Sequence, residues 1–295
     1  LRDSRPLGLK GILVELKKEV AKDLFNKTRI GGLEGVVPLP RLLAYAKMTI
    51  DGKVFGVYRA PEQIERRIID VLSSSAKVKD ILGVGYTLPV RFFPELDDKS
   101  IAELFEYGVS HPPQFRSRMP LLDMMIYSFL DYNPLAKVTE MLRLELLDKA
   151  RLELGIRARL TRRYIFRHYR ALSDKGLVGR VSLSGMFHIN SLWGFVVVER
   201  ACASDLYVWA SRNLATTNIF VSDDYVAATI ALPREGLAGL ARIGSKCGLG
   251  VHVIARGIWT PFPWELYDPR REKWDIEPVS NLPEVLRKYR ILEFV

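Results

Sequence analysis

From Ser191 onward the chain alternates strand-like and helix-like runs, and that order restricts the available folds more than any other feature. "LWGFVVVER" reads as a strand, "ASDLYVWASRNL" as a helix and "TNIFV" as a strand. The turn "SDD" leads into the strand "YVAATIAL", the helix "REGLAGLARIGSKCG" and the strand "VHVIARGIW". Strands and helices in this alternation pack helices against a sheet around one core.

This β-α-β-β-α-β series is the ferredoxin-like arrangement, two helices over one face of a four-stranded sheet. A similar order can be laid over the first half. "LKGILVELKKEVAKDLFNK" (9–27) repeats apolar residues at Leu9, Leu13, Leu16, Val20 and Leu24, the spacing of a helix. Asp51-Gly52 has the chemistry of a hairpin turn, Pro61 opens a helix carrying Ile64, Ile68 and Val71, and "LGVGYTLPVRFF" is strand-like. Tyr86 and Pro94 fall on Tyr225 and Pro233 at an offset of 139, Gly56 falls on Gly194 at 138, and "GLEGVV" on "GLVGRV" at 144. Near-constant offsets predict an internal duplication. "SHPPQFRSRMP" (110–120) reads as the linker.

The expected fold class is therefore α+β, two ferredoxin-like domains with a winged helix-turn-helix between them. The boundaries expected are a helix with a degenerate winged-helix remnant (1–38), a first ferredoxin-like domain (39–110), the winged helix (111–190), a second ferredoxin-like domain (191–258) and an aromatic, proline-rich tail (259–295). Residues 54–106 and 193–246 would superpose.

The chain carries a formal charge of +10, a balance that favours a polyanionic partner, and the charge is concentrated. Between Arg157 and Arg180 stand seven arginines and one lysine against one aspartate. On a helix capped by Thr161, the residues Ile165, Tyr169 and Leu172 form an apolar face. Arg163, Phe166, Arg167 and Arg170 fall at i, i+3, i+4 and i+7 on another. Guanidinium groups grip phosphate and guanine edges in a two-pronged geometry that lysine lacks. The plainer alternative is a solvated face paired with Glu145, Asp148 and Glu153.

"LTRRYIFRHYRALSDKGLV" resembles the recognition helix and turn of the leucine-responsive regulator (Lrp/AsnC) family. Leu160-Thr161 stands at the cap, Ile165, Tyr169 and Leu172 at the anchors, and Gly176-Leu177-Val178 at the turn into the wing. "LLDMMIYSFL" resembles that family's first helix, and "GRVSLSGMFHINSLWGFVVVERA" its wing and linker. The resemblance implies a transcription regulator or chromatin protein that binds double-stranded DNA as a homodimer. Arg157, Arg159, Thr161, Arg162, Arg163, Phe166, Arg167, Arg170, Lys175 and Arg180 would contact the duplex. It also implies a possible small-molecule effector at Gly83, Gly85 and Tyr86 and at Asp223, Asp224 and Tyr225. The sequence departs from the family in a longer second helix, an inserted "IRAR", and acids where the effector loop is glycine-rich.

Other readings are weaker. A non-catalytic assembly protein using a winged helix is the first alternative. Siroheme decarboxylases are the enzymatic one; they use a histidine-bearing strand, but "TTNIFVSDD" has no His, Cys or Arg. No enzyme activity and no cofactor are therefore expected. The two cysteines, Cys202 and Cys247, lack Cys-x-x-Cys spacing, and the four histidines are scattered. Neither a disulfide nor a metal site is expected. With no signal-like start and no membrane-length apolar run, a cytoplasmic location is expected.

Overall fold

The computed structural model describes residues 8–26, 33–111, 161–174, 192–216, 218–232, 236–248 and 250–260, with single positions in 122–130 and 263–276. The chain divides into two compact units, Leu1–Phe115 with Ser182–Trp259, and Arg116–Val181 with Thr260–Val295.

In the first unit, β1 (Leu9–Leu16), α1 (Val20–Asn26), β2 (Leu43–Thr49), β3 (Val54–Pro61), α2 (Glu65–Ser74) and β4 (Val78–Pro89) precede the helix α3 (Asp98–Ser110). The second unit supplies α4 (Arg162–Asp174). The first unit then resumes with β5 (Leu192–Glu199), α5 (Ala203–Arg212), β6 (Asn218–Ser222), β7 (Tyr225–Leu232), α6 (Leu237–Lys246) and β8 (Gly250–Trp259). Two short strands, β9 (Tyr267–Asp268) and β10 (Lys273–Trp274), pair in the second unit.

The strands of the first unit do not form two ferredoxin-like sheets. They close into one antiparallel barrel in the order β1-β3-β2-β8-β5-β7-β6-β4. Each half has the β-α-β-β-α-β order, which leaves β2 and β4 at the edges of one half and β6 and β8 at the edges of the other. Those edges pair with each other: Tyr45 to Thr49 run against Trp259 to Ile254, and Gly85 to Pro89 against Ser222 to Asn218. Unpaired edge amides and carbonyls are a liability, and closure removes all of them.

The closed sheet makes two cores. Inside the barrel, Leu13, Tyr45, Phe55, Leu82, Phe195, Phe220, Ala227 and Ile254 come one from each strand. The Phe55 and Phe195 rings stack across the interior at 4.7 Å. Outside, Val196 and Val198 of β5 and Val226, Ala228 and Ile230 of β7 pack under α5 and α6, with Ile101 and Phe105 of α3. β5 shows the alternation directly: Phe195 and Val197 face in, Val196 and Val198 out.

Double-sided burial explains why residues 9–27 are not one helix. In "LKGILVEL" all but Lys10 and Glu15 are buried, as in any strand covered on both faces, so the period of two is masked. The leucines at positions 9, 13 and 16 imitate a helical stripe that truly begins at Val20. The duplication offsets fail as well. Tyr86 lies in the fourth strand of its half and Tyr225 opens the third of the other; Gly56 lies in β3 but Gly194 in β5. Residues 54–106 hold β3, α2, β4 and α3, which is not the order of 193–246. The halves correspond strand by strand instead, β1 with β5 through β4 with β8. The Asp51-Gly52 turn is where it was expected, with Gly52 at φ +81°.

Contrary to expectation, Cys202 and Cys247 are joined in a disulfide, with Cα atoms 6.4 Å apart. It ties the residue before α5 to the one after α6. For a 45-residue separation the chain-entropy relation gives about 4 kcal/mol of stabilisation.

The β4–β6 seam depends on Gly85, where an added Cβ would overlap the Val221 carbonyl. Backbone cannot swing aside as a side-chain tip can, so Gly85→Val should cost about 3 kcal/mol or more. Gly108 of α3 has nothing within 4 Å of an added methyl. Gly108→Ala should stabilise by about 0.5–1 kcal/mol, and paired denaturant melts check both signs.

Candidate nucleic-acid interface

The second unit carries α4. Thr161 caps it: its Oγ1 accepts from the Tyr164 N–H at 3.2 Å, and its carbonyl from Ile165 at 3.0 Å. Ile165 and Leu172 are fully buried, as the apolar spacing requires, while Tyr169 is half-buried. His168 is fixed as well, its Nδ1 bonded to the buried carboxylate of Asp123. Asp123 lies beside the buried residues Leu122, Ile126 and Tyr127, so this bond ties α4 to the segment before it.

The opposite face of α4 is open to solvent. Arg162, Arg163, Arg167 and Arg170 are exposed, and Phe166 between them is 52% exposed. Arg167 lies 5.1 Å above the Tyr164 ring, which props one guanidinium on the helix surface. Among the described residues, no acid pairs with these four guanidinium groups. The helix is 13 residues, about 20 Å, long, and the arginines from 162 to 170 cover about 12 Å of it. Arg157, Arg159, Lys175 and Arg180 lie outside the described residues, as do Glu145, Asp148 and Glu153.

The six effector candidates belong to the barrel unit, and the fold brings them to one place. Gly83, Gly85 and Tyr86 are on β4, Asp223, Asp224 and Tyr225 follow β6, and Gly85 pairs with Ser222. They are neighbours at one seam and not equivalent positions of two copies. Ser222 Oγ donates to the Tyr225 carbonyl at 2.8 Å and accepts from the Tyr225 N–H at 3.0 Å, closing the turn. Asp223 and Asp224 are exposed, and the Asp224 carbonyl accepts from the Arg200 N–H. An added Cβ at Gly83 would come 2.7 Å from Ser222 Oγ, so both β4 glycines serve a close strand approach. Tyr86 lies on the outer surface, with Lys10 Nζ 6.0 Å from its ring and Lys10 paired to Glu65 at 2.8 Å.

Two basic residues that the sequence does not single out sit on strands with their side chains buried. Lys47 and Arg59 are 2% and 6% exposed, at strand positions that face the barrel interior. The Lys47 chain lies over Gly257, its partner across the β2–β8 seam. Burial pulls its ammonium down to about 7. The only signal was a lysine in an otherwise apolar run, "LAYAKMT". The His168–Asp123 pair was equally hidden, its partners standing 45 residues apart. Comparisons with protein-family models, curated proteins and solved structures find no match to this chain.

Lys47 generates a pH signature. Its folded value lies below the unfolded 10.5, so the folded state binds fewer protons between about pH 7 and 10.5. The burial penalty is complete below pH 7 and disappears as pH rises towards 10.5. The stability of Lys47→Met relative to the parent should therefore fall as pH rises across that window. Urea midpoints at four or five pH values measure this, and a pH-independent difference would contradict it.

Proposed function

We propose that the protein binds double-stranded DNA and that α4 is the element that enters the major groove. One observation carries this reading: the exposed row Arg163, Phe166, Arg167 and Arg170 has no acidic partner among the described residues, and the back of its helix is anchored. A rigid helix with an open guanidinium row can neutralise phosphates and reach guanine edges. Phe166 adds an apolar edge of the kind that meets the thymine methyl.

The order of the motifs, similar to that of the leucine-responsive regulators, supports a role in transcription or chromatin. The barrel then acts as the scaffold. With one strongly basic helix among the described residues, a site of two successive groove turns would take two chains.

Phosphate contacts release counterions, so affinity should fall linearly with salt on a logarithmic plot. Replacing Arg163, Arg167 and Arg170 together by Ala should abolish binding near physiological salt. At low salt it should flatten the salt slope by up to about 3, close to one per lost phosphate contact. All three side chains are exposed, so the helix content should be unchanged. A folded triple variant that binds as the parent does would overturn the assignment.

A further inference from the structure

We propose that Cys202, Asp205 and Cys247 form a second, redox-gated site that takes one zinc-class divalent ion when the disulfide is opened. The two sulfurs and a carboxylate oxygen of Asp205 all lie within 4.8 Å of one another. Tetrahedral zinc with Zn–S bonds of ~2.3 Å places its two sulfurs ~3.8 Å apart. Opening the disulfide and rotating the Cys side chains brings the three donors to that spacing around one ion. Two thiolates and one carboxylate suit zinc, cadmium or cobalt and not magnesium or calcium, and they leave a fourth position for water.

The surroundings of the three donors are polar on one side and buried on the other. Cys202 stands at the N-cap of α5, where the helix dipole stabilises negative charge. Lys246 precedes Cys247 and holds Asp205 Oδ2 at 2.7 Å, so a cation already sits beside the donors. Both cysteines are nearly buried, 6% and 5% exposed. Asp205 and Lys246 line an open groove of about 680 Å³ between α3, α5 and α6, so the carboxylate donor is reached from solvent.

The chemistry balances in two steps. A dithiol reductant gives two electrons and two protons to the disulfide, yielding two thiols, and is itself oxidised to a disulfide. The divalent ion then displaces both thiol protons and forms two metal–sulfur bonds, while Asp205 exchanges its contact with Lys246 for the metal. The bonded sulfurs of the oxidised protein are not thiolates, so the two states exclude each other. This site does not depend on DNA binding.

The test titrates the full-length protein, reduced with a phosphine under anaerobic conditions, with Co²⁺ and then Zn²⁺. One Co²⁺ per chain with a thiolate-to-cobalt charge-transfer band, displaced by one equivalent of Zn²⁺, is expected. The band should be absent from the oxidised protein, which keeps the fold but has no free thiols, and from Cys202→Ser and Cys247→Ser. Asp205→Asn should weaken binding at least tenfold. No band in the folded, reduced protein would overturn the proposal, as would a band that survives in both Cys variants.

Discussion

Everything in the barrel unit depends on the pairing of strand edges between the two halves of the chain. Each half, taken alone, would expose two edges and one face of a four-stranded sheet. Joining β2 to β8 and β4 to β6 satisfies the edge amides and carbonyls and encloses that face at the same time. The consequences follow in order. An enclosed interior needs residues that fill it, hence Phe55, Phe195 and Phe220 from three strands. An outer surface covered by helices needs a second apolar set, hence Val196, Val198 and Ile230. Strands with two buried faces tolerate a polar residue only at a cost, which is what depresses the Lys47 ammonium.

What could be read from the sequence divides along the same line. Local features were legible: the order of elements after Ser191, the Asp51-Gly52 turn, the Thr161 cap and the buried pair Ile165 and Leu172. Each is set by residues a few positions apart. Closure was not legible, because an edge strand carries no mark of its partner. Phe220 and Thr87 pair across the β4–β6 seam although 133 residues separate them. β1 looks helical in the sequence because burial on both faces erases its alternation. Aligning Gly56 with Gly194 matched β3 to β5, whereas the halves match by strand order, at offsets near 183 for β1 with β5 and 171 for β3 with β7.

The candidate interface was legible for a different reason. Arginines at i, i+4 and i+7 specify a helical face without reference to the rest of the fold, and the observed exposure of Arg163, Arg167 and Arg170 follows from the burial of Ile165 and Leu172. The bond from His168 to Asp123 adds what spacing could not show, a polar tie that fixes the helix about its own axis. The recognition face proposed for α4 needs that fixity, since a rotation of one residue would turn the arginine row away. The disulfide and its carboxylate neighbour were invisible for the same reason as the seams: Cys202 and Cys247 meet only once α5 and α6 pack side by side.

One chain closes its own barrel through two long-range seams. Residue-resolved hydrogen exchange tests it most directly, by comparing seam amides of β2–β8 and β4–β6 with those of β1–β3 inside one half. A closed barrel opens as a unit, so the seam amides should exchange only through global unfolding, with the same free energy and denaturant dependence as β1–β3. Seam amides that exchange rapidly, like free edges, while β1–β3 stays protected would show two independent sheets and no closed barrel.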